Sequence, residues 1–334
     1  MLEWIYEQGV GETRAALTEN GAILEAILEW DDCPWPVGTI VDARLAEMDR
    51  SRNQAFIVLP DGSPAILTPL PVQATSQGQA IRVEVSREPI AERDRRKWPK
   101  VRPATPEATP GVGPSLLERL NQTGLPVVMR SAHEADILES SGWSELLEDA
   151  VTGKVAFPGG DLHVSMTPAM TLIDVDGTLS RAELAVAGAG AAARAIRRFA
   201  ITGSIGIDLP TVDSKAVRNA AAAAIDAILP PPFERTAVNG YGFVQIIRRR
   251  ARRSLLEMLA EDPDGAAARA LLRRAERSSG SGALTVIAAP PVIDRLDKEQ
   301  AWRDELCRRT GRPLSLQPQA GMARWGGDVK TQYP

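Results

Sequence analysis

Two aspartates close the apolar stretch Met170-Thr171-Leu172-Ile173-Asp174-Val175-Asp176-Gly177, and Asp208 closes a similar one, Gly203-Ser204-Ile205-Gly206-Ile207-Asp208. Side chains alternate along a strand, so Ile173 and Val175 share one face and Asp174 and Asp176 the other. An alanine-rich, helix-like stretch joins the two runs, which makes the pattern β-α-β with an acid at the end of each strand. If the strands are parallel and adjacent, a right-handed crossover brings both ends to one edge, about 4.8 Å apart. Two carboxylates that close repel unless one is protonated or a cation lies between them. Mg2+ suits such a pair, because it takes one or two carboxylates and keeps several waters. Held there, it lowers the pKa of a water, polarises a phosphoryl oxygen and orients an in-line attack.

Composition narrows what else the chain can do. With only two histidines, His133 and His163, chemistry that needs a His base or several His ligands is not expected, and carboxylates must carry the reaction. Two distant cysteines, Cys33 and Cys307, make neither a disulfide framework nor a zinc cluster. No apolar run approaches the ~20 residues of a membrane span, and Glu3 and Glu7 stand where a signal peptide would be basic. The expectation is a cytoplasmic protein without a membrane partner. The net charge of −4 argues against a nucleic-acid partner, but Arg248, Arg249, Arg250, Arg252 and Arg253 form one basic run, the local stripe that a phosphate backbone requires.

These residues need a frame, and 334 residues suffice for two or three domains. Residues 1–36 read as an N-terminal β-hairpin turning at Glu19-Asn20-Gly21. From 37 to 102, short strands at close spacing predict a small barrel of the OB type. Residues 103–150 hold the rest of a proline-rich linker, a helix capped by Ser115 and the short strand Pro126–Arg130. The segment 151–278 carries the acid strands, a helix over Glu183–Ala200, a second over Ser214–Leu229 and the strand Gly242–Ile247 that runs into the arginines. After a flexible joint at Ser278–Gly282, residues 279–334 read as a small α/β subdomain. The fold class is thus α/β (α+β): a hairpin, an inserted barrel, a mixed-sheet catalytic core and a C-terminal appendage.

Asp174-Val175-Asp176-Gly177-Thr178 also matches the DxDGT motif of haloacid-dehalogenase phosphatases, in which the first Asp attacks phosphorus and the second is the general acid. That mechanism needs a downstream lysine and a further acidic pair, and neither stands out. A wider resemblance covers nearly the whole chain. Gly11-Glu12-Thr13-Arg14, Gly21-Ala22-Ile23-Leu24-Glu25, Gln54-Ala55-Phe56-Ile57, the segment Gly78–Pro89 and Val155-Ala156-Phe157-Pro158-Gly159-Gly160 follow, in order, the motifs of the ribonuclease E/G family. The chain resembles a shortened member of it.

The resemblance implies an endoribonuclease that cuts single-stranded RNA, in RNA processing or decay, with Mg2+ held by Asp174 and Asp208. Asp176 stands where the family usually has Asn beside the metal. Arg248 and Arg250 match an R-x-R that contacts RNA phosphates, Phe56 matches a barrel aromatic on which a base stacks, and Arg130-Ser131 match the R-T of a pocket that senses a 5′-monophosphate. The chain also departs from the pattern. Ile66 replaces a second barrel aromatic, the Gly-Lys-Ser after Arg130-Ser131 is missing, and only about twenty residues follow before the Val155–Gly160 hairpin. Ser278–Gly282 occupies the place of the zinc-link cysteines, so a zinc-linked dimer is not expected and a monomer is. The alternative is a non-catalytic RNA-binding protein on the same fold.

Overall fold

The computed structural model describes residues 1–72, 74, 76–92, 95–105 and 107–331 of the chain, so Pro106 of the proline-rich linker lies outside them. It is a mixed α+β protein with several sheets, one of them a closed five-stranded barrel. The chain divides into two compact units, each assembled from separated segments.

The first unit comprises Met1–Asp32, Thr123–Val151 and Met258–Pro334. Its first sheet is the meander Leu2–Gln8, Glu12–Glu19 and Ala22–Trp30, with Val127–Arg130 added in parallel beside Leu2–Gln8. The turn expected at Glu19-Asn20-Gly21 is present, with both Asn20 and Gly21 at positive φ. Helix Pro263–Glu276 buries its Arg269 between the rings of Trp30 and Trp302, each 4.3 Å from the guanidinium carbon. That cation is held by the Gly11 carbonyl and by Asp32. A second sheet places Leu284–Ala288 between Leu314–Pro318 and Asp328–Thr331. Pro290–Lys298 is a helix that the sequence reading passes over. Its Pro290-Pro291 start looks like a breaker, yet proline fits the first helical turn, where its missing N–H has no partner to lose.

The second unit comprises Cys33–Gln122 and Thr152–Glu257. Its barrel closes in the order Ile40–Asp49, Gln54–Val58, Pro64–Leu67, Lys100–Pro103, Ala80–Arg87 and back to Ile40–Asp49. The Pro64–Leu67 and Lys100–Pro103 pair is parallel and the other pairs are antiparallel. Alternation sends Ala55, Ile57, Ala65, Leu67, Val83, Val85 and Val101 into its core.

The six-stranded sheet of this unit runs in the order Lys154–Phe157, Gly160–Met166, Thr171–Gly177, Gly203–Asp208, Phe243–Arg248, Glu234–Arg235. The two acid strands are adjacent and parallel, which meets the condition set by the β-α-β reading, and every other pair is antiparallel. Ile173, Val175, Ile205, Ile207, Val244 and Ile246 are buried on one face. Each contributes about 1.5–3 kcal/mol by leaving water.

Helix Arg181–Arg198 covers that face. It begins at a capping box in which the Ser180 hydroxyl accepts from the Glu183 N–H and the Glu183 carboxylate accepts from the Ser180 N–H. It lies close to the sheet because residue 188 is glycine: a Cβ there would sit 2.3 Å from Cγ1 of Val175. Helix Lys215–Ile228, capped by Ser214, packs beside it. Both helices match the predicted spans to within two residues, since cap residues and alanine-rich faces are local signals. Among the described residues no helix is long and apolar enough to cross a membrane.

Candidate functional site

With the helices on one face, the other face of the six-stranded sheet presents its alternate residues to solvent. Strand register lines up Lys154, His163, Asp174, Asp208 and Phe243 as one cross-strand row. The next row pairs Asp161 with Asp176. Asp174 and Asp208 are therefore direct partners at the carboxyl ends of adjacent parallel strands, and Asp176 shares their face one row beyond, opposite a further carboxylate. All four aspartates are exposed or nearly so. Like charges directly across a sheet destabilise it, and this face stacks two such pairs with Lys154 as the cation of the row.

The donor set can be weighed against the metal it resembles a site for. Among the described residues no three His, Cys, Asp or Glu side chains converge into a protein cage for a metal. Calcium takes six to eight oxygens and structural zinc four tight ligands, so neither is matched. Mg2+ binds through one or two carboxylates and fills its octahedron with water, and the Asp174–Asp208 pair fits that requirement.

The arginines after the sheet are differently placed. Phe243, Gln245 and Ile247 share the face of the acids, while Val244, Ile246 and Arg248 alternate to the other side. Arg248 donates to the carbonyl of Ile201 at 2.8 Å, at the start of the second acid strand. Arg250, beyond the strand end, pairs with Glu257, which also accepts from the backbone and hydroxyl of Ser254 to cap helix Leu255–Glu261. Arg252 faces Glu88 at 3.6 Å, and the Glu88 N–H donates to the Ala251 carbonyl. The run thus ties the strand, the following helix and the barrel together. Alternation along the strand does not extend to Arg250, so Arg248 and Arg250 are not brought to the acids on one common face.

Phe56 lies outside the barrel core. Its neighbours Ala55 and Ile57 point inward and are fully buried, and Phe56 faces out, half-buried, opposite Ile66. The ring of Trp98 meets it edge to face, with centroids 5.6 Å apart and planes at 87°. Trp98 is 41 % exposed. An aromatic pair therefore exists on the barrel although position 66 is aliphatic. Trp98 is not among the residues singled out from the sequence, because it lies just ahead of the strand Lys100–Pro103, between the predicted barrel strands and the proline-rich stretch. The signal available was the tryptophan itself, exposed among prolines and charges.

In the first unit, Arg130 and Ser131 grip a carboxylate of their own chain. The Ser131 N–H and hydroxyl each donate to Glu134 at 2.8 Å, and Arg130 donates to it at 3.1 Å. Those contacts, the backbone N–H foremost, hold the Glu134 carboxyl down to about 2. Nearby, buried Arg14 joins Glu7 and Asp136, and Arg277 joins the same two acids. Burial pushes the Asp136 carboxyl up, but Arg14 and Arg277, with the Glu139 N–H that it caps, leave it lowered.

His163 and Asp161 were also open to a sequence reading. The turn between Met166 and Thr171 sets the register of the strands it joins, so counting back from it puts His163 opposite Asp174 and Asp161 opposite Asp176, while the Phe157–Gly160 hairpin puts His163 opposite Lys154 on its other side. No protein-family model matches the sequence, and a search of curated proteins returns no match.

Proposed function

We propose that this chain is a Mg2+-dependent endoribonuclease of the ribonuclease E/G kind, acting on single-stranded RNA in the cytoplasm. The observation that carries the reading is the register partnership of Asp174 and Asp208 on the open face of the sheet. Asp174 and Asp208 would hold the metal, with the Asp176 carboxylate on the same face one row away as a further hydrogen-bond acceptor. When bound, the ion would supply a water of lowered pKa and charge neutralisation at the phosphate. The barrel is read as an OB fold, supported by its closed five-strand order with one parallel pair. Phe56 and Trp98 then stack successive bases, a sequence-tolerant grip worth about 1–3 kcal/mol per base.

Two parts of the family pattern take a modified role. Arg248 and Arg250 act by holding the frame around the second acid strand, given their partners Ile201 and Glu257. Arg130 and Ser131 are engaged by Glu134, so cleavage is expected to be indifferent to a 5′-monophosphate. The test is cleavage of an end-labelled single-stranded RNA, with a 5′-monophosphate or a 5′-hydroxyl, in Mg2+ and in EDTA. The wild type is expected to cut both in Mg2+ only, and Asp208→Asn neither. No cleavage by the wild type, or equal cleavage by the variant, refutes the proposal. Turnover of a small phosphomonoester that needs Asp174 and Asp176 but not Asp208 would instead favour the phosphatase chemistry.

A second reading, RNA binding without catalysis, rests on the Phe56–Trp98 aromatic pair of the barrel, which needs no metal. It expects binding that weakens steeply with salt and no strand scission.

A further inference from the structure

The open face that carries the acids also carries an aromatic ring, and its setting is specific. Phe243 is the register partner of Asp208, so it projects on the side of the two carboxylates, one strand beyond Asp208. Val244 and Ile246 point the other way and are fully buried. Two residues before Asp208, Gly206 leaves a gap in this face. A Cβ at that position would lie 2.6 Å from Cζ and 2.9 Å from Cε2 of Phe243, and 3.0 Å from Cδ2 of Leu172. The phenyl ring therefore lies across the glycine with Leu172 against it.

A second aromatic, Tyr241, stands two residues earlier and is 82 % exposed. Its backbone is tied: the N–H donates to Asn239 Oδ1 at 2.9 Å and the carbonyl accepts from Thr211 Oγ1 at 3.0 Å. The following carbonyl, of Gly242, accepts from the N–H of Leu209, the residue after Asp208. Both aromatics thus belong to the same strand end as the second acid.

We infer that Phe243, with Tyr241, is a stacking floor for the base of the nucleotide whose phosphate lies at Asp174 and Asp208. The inference rests on the nuclease reading and names its substrate class: a nucleotide whose base is unpaired and free of its neighbours' stack. The occupant follows from charge and reach. A carboxylate pair bridged by a divalent cation attracts a phosphate, and the ring lies across Gly206, two residues or about 7 Å along the strand from Asp208, the scale of one nucleotide. Every base has a π-face that an aromatic ring can cover, whereas a base inside a duplex has both faces taken. Selection for single strands is then built into the catalytic face as well as the barrel.

The test uses the full chain and short single-stranded oligoribonucleotides with one 2-aminopurine, moved position by position, read by stopped-flow fluorescence before cleavage. The wild type is expected to quench the probe at one position next to the cut. Phe243→Leu keeps the apolar volume and removes the π-face. It is expected to lose that quench and to weaken binding by roughly 5- to 100-fold, while Phe243→Tyr keeps both. Equal quench and affinity for the wild type and Phe243→Leu at every position overturn the inference, as does no quench by the wild type anywhere. A chain that quenches in this pattern but never cuts supports the floor and removes the nuclease. One that cuts strands with abasic residues flanking the scission site as fast as intact strands keeps the nuclease and removes the floor.

Discussion

Replacing Asp208 by asparagine separates stability from function in a way that the sheet register makes quantitative. In the metal-free protein Asp174 and Asp208 face each other across adjacent strands, with Asp161 and Asp176 paired in the next row. Like charges in that position cost about 0.2–1 kcal/mol at a solvated surface, since water and salt screen most of the Coulomb term. Asp208→Asn removes one such repulsion and keeps the side-chain volume. Its melting temperature in EDTA is therefore expected to rise by about 0.5–2 °C. Mg2+ should reverse the order. A ligand that binds only the folded wild type at ten times its Kd adds about 1.4 kcal/mol, and the variant, with a single carboxylate of the pair, gains little. The assay is thermal unfolding of both proteins across an Mg2+ titration, with Ca2+ and NaCl series as controls for ion size and ionic strength. A variant that melts below the wild type in EDTA refutes the repulsion argument. Equal Mg2+ shifts for both proteins refute the shared ion.

Three further outcomes follow from named contacts. Phe56→Ala and Trp98→Ala are each expected to weaken single-stranded RNA binding by roughly 5- to 100-fold, with the slope of affinity against salt unchanged because no phosphate contact is lost; anisotropy across a salt series reads both quantities. Gly188→Ala, which in an exposed helix would add about 1 kcal/mol of stability, should instead destabilise by about 1–3 kcal/mol because its Cβ meets Val175. Urea unfolding of a cycle with Val175→Ala should recover part of that loss, and full additivity would contradict the contact. The Glu134 carboxyl, lowered from its ordinary 4.5 to about 2, contributes stability that is present above pH 4.5 and lost as pH falls toward 2. Wild type should thus exceed Glu134→Gln in urea midpoint near pH 6, with the gap closing near pH 2.5. A gap independent of pH would place the effect elsewhere.

Some of this was legible in the residues and some was not. The two acid strands and their helices stood out because period-two alternation, a capping box and an alanine-rich face are each local in sequence. That an acid closes each strand of a β-α-β unit was legible too, whereas the adjacency and register that pair Asp174 with Asp208 came only with the folded sheet. Trp98 was not, because its partnership with Phe56 exists only once the barrel closes. Nor were the helix over Pro290–Lys298 and the assembly of the first unit from three separated segments.

The sequence by itself determined which face of each acid strand carries the carboxylates, because the pleat of an extended backbone sets that alternation residue by residue. Only the tertiary structure decided what surrounds them. Arg248, Arg250 and Arg252, so conspicuous as a basic run, find Ile201, Glu257 and Glu88, while Phe243 joins the row of the acids. A guanidinium or a ring chooses its partner among groups that strand pairing and packing bring within a few ångströms, and their spacing along the chain carries little information about that choice.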